Sequence, residues 1–337
     1  TLSELKTALR LCKSGTAPGE DDITYDMLKL LTDTSLDHLL VIYNAALANG
    51  AVPRAWCTAI VRPHYKRDIH RDPAGAADVT NYRGISLGSC VGKLLEKVLA
   101  LRIQEFVSKV CPLSEQQNGF RPNRCSLTHV WALNEILALR GPNALALFFD
   151  LAKAFPSVRR SSLLTALYGR GVTGNVWKLV AAFYENNTSA VRLGSHTADP
   201  YDVHNGVKEG SLLSPLFIIF IDELLATIKN RDLGYRFTDP HGTTTWCGML
   251  GYADDLVAIP RDVRDAQQIL DVCGAFAADH MISFNHSKTV AFLMRPAPDL
   301  PSYPGALRLT LREKRDSAGN THPLLLVVRS YEYLGVL

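Results

Sequence analysis

Two adjacent carboxylates, Asp254 and Asp255, stand inside residues 251–259 (GYADDLVAI), between the apolar runs 246–250 and 256–259. Short apolar runs around a small polar centre predict a β-hairpin with the acids at its tip. Successive strand residues face opposite ways, so neighbouring acids rarely serve one core, but a tight turn holds both near one point. Carboxylates held together repel and titrate upward unless a cation neutralises them. Mg²⁺, a hard ion satisfied by one or two carboxylates plus substrate phosphates, suits such a pair. Taken alone, Asp-Asp reads equally well as turn residues.

A second acid tilts the balance. Asp150 closes the apolar run ALALFF at residues 144–149, and an acid at the tip of a buried strand is costly unless paired or metal-bound. By itself Asp150 also reads as a helix N-cap. With Asp254 and Asp255 it completes three carboxylates, a set able to hold two Mg²⁺ ions about 4 Å apart, the arrangement that assists in-line phosphoryl transfer. Mn²⁺ is the expected substitute.

The elements that must position these acids follow from periodicity and punctuation. Helices are expected over residues 2–12, 23–31 (capped by Asp22), 35–49 (closed by Gly50), 91–110, 126–140, 161–168, 174–187 and 263–280. An apolar helix is expected to about Lys229. A strand leaving into a basic loop is expected over 59–68, strands over 144–150, 190–193 and 201–204, and a turn followed by a strand over 283–294, with an irregular Pro-rich run over 295–323 and a closing hairpin over 324–337.

The composition of the 337 residues, 47% hydrophobic and 20% charged, is that of a globular chain with ample core. A net charge of +3 allows a nucleic-acid partner without indicating one. Seven scattered cysteines show no C-x-x-C spacing, which points away from zinc and a disulfide framework and toward reduced intracellular thiols. No signal peptide is recognisable, and the apolar run 212–225 is too short and too acid-marked to span a bilayer. The missing initial Met and the apolar end at Leu337 read as a piece of a longer protein.

At this point the motifs carry a resemblance. Residues 17–23 (APGEDDI), 81–103 (NYRGISLGSCVGKLLEKVLALRI), 116–126 (QQNGFRPNRCS), 148–155 (FFDLAKAF), 206–217 (GVKEGSLLSPLF), 251–256 (GYADDL), 285–289 (NHSKT) and 331–336 (YEYLGV) resemble, in order, the motifs of a reverse transcriptase of the non-LTR, LINE-like retrotransposon type. A lone Asp-Asp is weak; eight motifs in register over nearly the whole chain are highly specific. The resemblance implies an α+β right-hand polymerase fold. Fingers would occupy residues 1–143, and a palm at 144–337 would have an antiparallel sheet backed by helices. It implies RNA-directed DNA synthesis onto a primer 3′-OH, with Mg²⁺, dNTPs, an RNA template and a DNA primer from target DNA as partners, and no membrane. Endonuclease and thumb would lie elsewhere in the full-length protein. The expected setting is a nuclear and cytoplasmic ribonucleoprotein.

The resemblance also distributes roles. Asp150, Asp254 and Asp255 become the metal ligands, with the Leu151 carbonyl adding an oxygen. Phe155 takes the place of the aromatic that blocks a ribose 2′-OH, although a Phe near a strand end is more often core. Arg121 grips the triphosphate. Lys66 is a further phosphate contact and Lys288 a proton donor to pyrophosphate, both of which read otherwise as plain surface charges. Gly210 allows close backbone approach, Tyr252 lies near the primer end, and Leu334 and Gly335 cradle the primer. Three positions depart from the family pattern: Pro156 for Asp, Glu209 for the Gln that contacts the nucleotide, and Leu212 for Pro. Glu209 and Pro156 leave room for one alternative, a catalytically decayed RNA-binding scaffold; a group II intron maturase-like enzyme is the other, against which the NYRGISL wording at residues 81–87 favours the non-LTR branch.

Overall fold

Threonines set where the first three helices begin. Thr1 accepts the Glu4 backbone N–H in a capping box, Thr24 accepts that of Met27, and Thr32 that of Ser35. Asp22, expected as the second cap, sits instead in a left-handed turn at φ 53. A cap must directly precede the helix for its oxygen to reach the first turn, and Thr24 holds that place. The computed structural model describes residues 1–66, 74–141, 144–185, 187–207, 210–293, 326–328 and 333–334.

In chain order the helices are α1 (Leu2–Leu11), α2 (Tyr25–Lys29), α3 (Asp33–Asn49), α4 (Arg54–Cys57), α5 (Cys90–Val110), α6 (Ser126–Arg140), α7 (Ala154–Ser157), α8 (Arg160–Gly169), α9 (Gly174–Tyr184), α10 (Phe217–Asn230) and α11 (Val263–His280). The strands are β1 (Thr58–Tyr65), β2 (Tyr82–Gly88), β3 (Leu145–Phe149), β4 (Thr188–Leu193), β5 (His196–Thr197), β6 (Tyr201–Asp202), β7 (Arg236–Thr238), β8 (Thr244–Trp246), β9 (Met249–Tyr252), β10 (Asp255–Ala258), β11 (Val290–Leu293) and β12 (Leu326–Val328). The mixed α+β class is as expected. The short α7 and the β7–β8 hairpin were not foreseen, each being too brief to show a period. Among the described residues no helix is long and apolar enough to cross a membrane.

The chain forms two compact units, one of residues 1–112 and 160–216, the other of residues 113–159 and 217–337. In the first unit β1 pairs antiparallel with β2, Tyr65 facing Tyr82, and parallel with β4, Thr58 facing Thr188. Gly50 closes α3 at φ 62, as its residue type anticipates.

The second unit is built on a five-stranded sheet ordered β12-β11-β3-β10-β9. Every residue of β3 is buried, which explains its unbroken apolar run: both faces are covered. On one face Val130, Leu133 and Leu137 of α6 pack against Ala146, Phe148, Leu250, Val257 and Val290. Each fully buried side chain of that size contributes about 1.5–3 kcal/mol. α10 packs beside β9 and against α11. Asp222, which interrupts the apolar surface of α10, is 1% exposed and accepts the Ser114 N–H at 3.0 Å. A buried acid with a backbone donor is satisfied rather than orphaned. The expected irregular run at 295–323 lies outside the described residues. Of the expected closing hairpin, β12 pairs parallel with β11, and Tyr333 and Leu334 are described.

Candidate active site

The register of the second sheet brings the acids together. β10 runs antiparallel to β3 with Leu256 facing Phe149, so one step further along Asp255 stands across from Asp150. Tyr252 faces Asp255 across the β9–β10 hairpin, and Ala253 and Asp254 make the turn. Residues opposite one another share a face of the sheet. Asp150 and Asp255 therefore emerge at the same end, on the α6 side.

Their electrostatics follow from that placement. Burial, then the Asp254 charge, then the Asp150 charge push the Asp255 carboxyl up to about 6, with Lys288 opposing. The Lys288 ammonium lies 3.6 Å from Asp150 Oδ1. Among the described residues no three His, Cys, Asp or Glu side chains converge tightly enough to form a ready-made metal cage. The donor set nevertheless fits a hard divalent cation in its chemistry: all oxygen, and mutually repelled until a cation neutralises it.

The surrounding segments are tied to the acids. Asn285 N–H donates to the Asp150 carbonyl at 2.7 Å, and Thr289 Oγ1 accepts from the Asp150 N–H at 3.4 Å. Leu151 is buried and pairs with Phe284 in an isolated bridge. Phe155, on α7, is half-buried between Phe217, 4.9 Å away, and Phe120, 6.2 Å away. The Arg121 guanidinium donates to the carbonyls of Ser114 at 2.9 Å and Gln117 at 3.0 Å, with Glu115 Oε1 at 3.6 Å. It is thus held by protein acceptors beside the site. Leu334 packs against the sheet core at φ 52.

Two expected site residues belong to the first unit. Lys66 donates to the Thr80 carbonyl at 2.7 Å. Gly210 has φ +96, and a Cβ there would stand 2.7 Å from the Ser86 carbonyl oxygen, so only glycine fits. Glu209 and Gly335 lie outside the described residues.

Sequence reasoning missed a polar relay beneath the hairpin. Asn118 Nδ2 meets His129 Nδ1 at 2.7 Å, His129 Nε2 meets the Tyr333 hydroxyl at 3.0 Å, and that hydroxyl donates to the Asp255 carbonyl at 3.2 Å. With the amide donating to Nδ1, the neutral imidazole carries its proton on Nε2 and donates onward. His129 and Tyr333 fall in or near quoted motifs, but nothing in a linear pattern shows that they touch.

Burial pushes the His129 imidazole down to about 4. The unfolded chain titrates near 6.5, so between those values the unfolded state holds the extra proton and stability falls as pH drops. Asp255 acts in the opposite sense: its raised folded value makes stability rise as pH falls through about 6. The substitution His129→Gln therefore isolates the histidine. Melts at pH 7.5 and 5 are expected to show the wild type losing about 2 kcal/mol more than the variant; equal losses would refute a buried neutral His129.

Residues 66–337 match the family model described as reverse transcriptase (RNA-dependent DNA polymerase). Similar proteins include the 115 kDa protein of type-1 retrotransposable element R1DM from Drosophila melanogaster, 26% identical over 99% of this chain and 30% of that protein. The RNA-directed DNA polymerase from mobile element jockey of Drosophila funebris is 27% identical over 100% of this chain and 35% of its own length. The Pol polyprotein of type-1 retrotransposable element R2 from Popillia japonica is 27% identical over 86% of this chain and 38% of its own. The chain thus spans roughly a third of the length of these relatives.

Proposed function

This chain belongs to the reverse transcriptase family, and on that premise we propose that it is the domain with which a non-LTR retrotransposon protein copies RNA into DNA. The observation that carries the reading is the β3–β10 register, which sets Asp150 across from Asp255 at the end of a buried sheet with Asp254 in the adjoining turn. We further propose the right-hand polymerase fold, with fingers over residues 1–143 and palm over residues 144–337.

Divalent cations held by Asp150, Asp254, Asp255 and the Leu151 carbonyl would activate the primer 3′-OH and neutralise the triphosphate. The protein's part is to aim these groups. β3 and β10 fix Asp150 and Asp255 by backbone pairing. The Asn285 N–H fixes the Asp150 carbonyl. Lys288, whose ammonium lies 3.6 Å from Asp150 Oδ1, would offset that charge and deliver a proton to pyrophosphate. Arg121 would exchange its carbonyl partners for phosphate oxygens, a stronger charge-assisted bond. Tyr252 and Leu334 would meet the primer, and Phe155 the nucleotide sugar. Lys66, Gly210 and Glu209 keep the nucleotide contacts that the family pattern gives them, and Gly335 its place beside the primer. The template, target DNA, dNTPs and ribonucleoprotein setting belong to the same proposal. So do an endonuclease and thumb in the full-length protein.

The test is primer extension on an RNA template with Mg²⁺ and dNTPs, using full-length protein. Template-dependent extension supports the reading; a folded protein that binds RNA without extending would favour the decayed scaffold. Phe155→Val is expected to admit ribonucleotides at least about tenfold more readily, the scale of a lost side-chain contact in substrate discrimination. An unchanged preference for dNTPs would remove Phe155 from the gate.

A further inference from the structure

Ala253 is the first residue of the two-residue turn between the paired Tyr252 and Asp255. Its φ is 58, in the left-handed region that residues with a Cβ enter only against steric resistance. A hairpin turn with positive φ at this position ordinarily uses glycine. Something outside the turn must hold it.

The segment Gln116, Gln117, Asn118 and Gly119 does so. It lies along β9 as a short extra rung: Asn118 N–H donates to the Gly251 carbonyl at 2.7 Å, and Gly251 N–H to the Gln116 carbonyl at 2.9 Å. Gln116 Nε2 donates to the Trp246 carbonyl at 2.7 Å. Gln117 is wholly buried, and its Oε1 accepts from Gly119 N–H at 2.9 Å and from Ala253 N–H at 3.0 Å. Its Nε2 finds no hydrogen-bond partner among the described residues. An apolar side chain would avoid that unmet donor, so the oxygen is what the site needs from a glutamine. The approach is close: a Cβ on Gly119 would stand 2.2 Å from Ala253 N, and one on Gly251 2.9 Å from Gln117 Nε2.

We propose that Gln117 is a positioning residue for the reaction, its side-chain oxygen clamping the Ala253 amide and thereby fixing the direction in which Asp254 and Asp255 present their carboxylates. The inference rests on the catalytic reading of those two acids. It assigns Gln117 no contact with substrate.

The variant Gln117→Met keeps the length of the side chain and removes the acceptor. In the full-length protein, hydrogen exchange at the Ala253 amide is expected to quicken about tenfold, the equivalent of one net hydrogen bond. kcat is expected to fall about 10²-fold, the scale of a small misplacement of reacting groups, while the KM for dNTP stays within about twofold because nucleotide contacts are untouched. Gln117→Glu retains an accepting oxygen and should retain exchange protection. Should Gln117→Met fail to fold, Gln117→Asn, one methylene short of the amide, is expected to show the same pattern in milder form. Unchanged exchange at Ala253 in a folded variant overturns the clamp, as does a kcat that falls only with the fraction of folded protein. A wild-type protein without Mg²⁺-dependent extension would instead sink the polymerase reading, and the exchange measurement would still decide the clamp.

Discussion

Asp254→Asn is expected to abolish Mg²⁺-dependent extension, by about 10³-fold or more, while leaving the protein folded and slightly more stable. The activity loss follows from the several kcal/mol of charge stabilisation that a catalytic cation supplies at a phosphoryl centre, each 1.36 kcal/mol being tenfold in rate. The stability gain has a separate cause. The Asp254 charge helps push the Asp255 carboxyl up to about 6. A carboxylate so raised disfavours the folded state at every pH above its unfolded value. Removing the neighbouring charge relieves part of that repulsion, and Asn keeps the size and turn preference of Asp. Activity and stability therefore move in opposite directions, which a folding defect cannot produce. Thermal melts without metal, run beside primer extension, check the pair. Loss of both together would assign Asp254 to the fold; retained extension would remove it from catalysis.

Gly119→Ala is expected to be the most damaging single-methyl change near the site. The added Cβ would stand 2.2 Å from Ala253 N and 2.8 Å from its Cα, both backbone atoms that cannot swing aside. Overpacking of this kind costs about 1–3 kcal/mol, and here it is relieved by displacing the turn that carries Asp254. Extension is expected to fall at least about 10²-fold, since small displacements of reacting groups cost that much. Gly169→Ala is the control: a Cβ there meets nothing within 4 Å, and the change should stay within about 0.5 kcal/mol. Urea melts and extension assays on the two variants separate the cases. A fully active Gly119→Ala protein would mean that the segment 116–119 does not fix the turn.

The acids themselves were legible in the chain. Apolar flanks announced the hairpin around Asp254 and Asp255, and the unbroken run before Asp150 announced a strand buried on both faces. α11 lies over the expected residues 263–280, and Gly50 ends α3. Periodicity and caps are local properties, so a linear reading recovers them. The same locality explains the Asp22 error: the run Asp21, Asp22, Ile23, Thr24 offers several caps, and only the backbone path selects Thr24.

What the sequence determined by itself was the elements that carry the proposed reacting groups. Local pattern fixes whether a segment is strand or helix and which face it buries. Tertiary structure alone decided what holds those groups in place. Gln117 reaches Ala253 across 136 positions, and His129 reaches Tyr333 across 204. Arg121, which the motif gives to the triphosphate, is engaged by the carbonyls of Ser114 and Gln117. The physical reason is that hydrophobic burial is non-directional and leaves a periodic signature. A buried hydrogen bond needs one donor and one acceptor at about 3 Å, a condition that no spacing along the chain records.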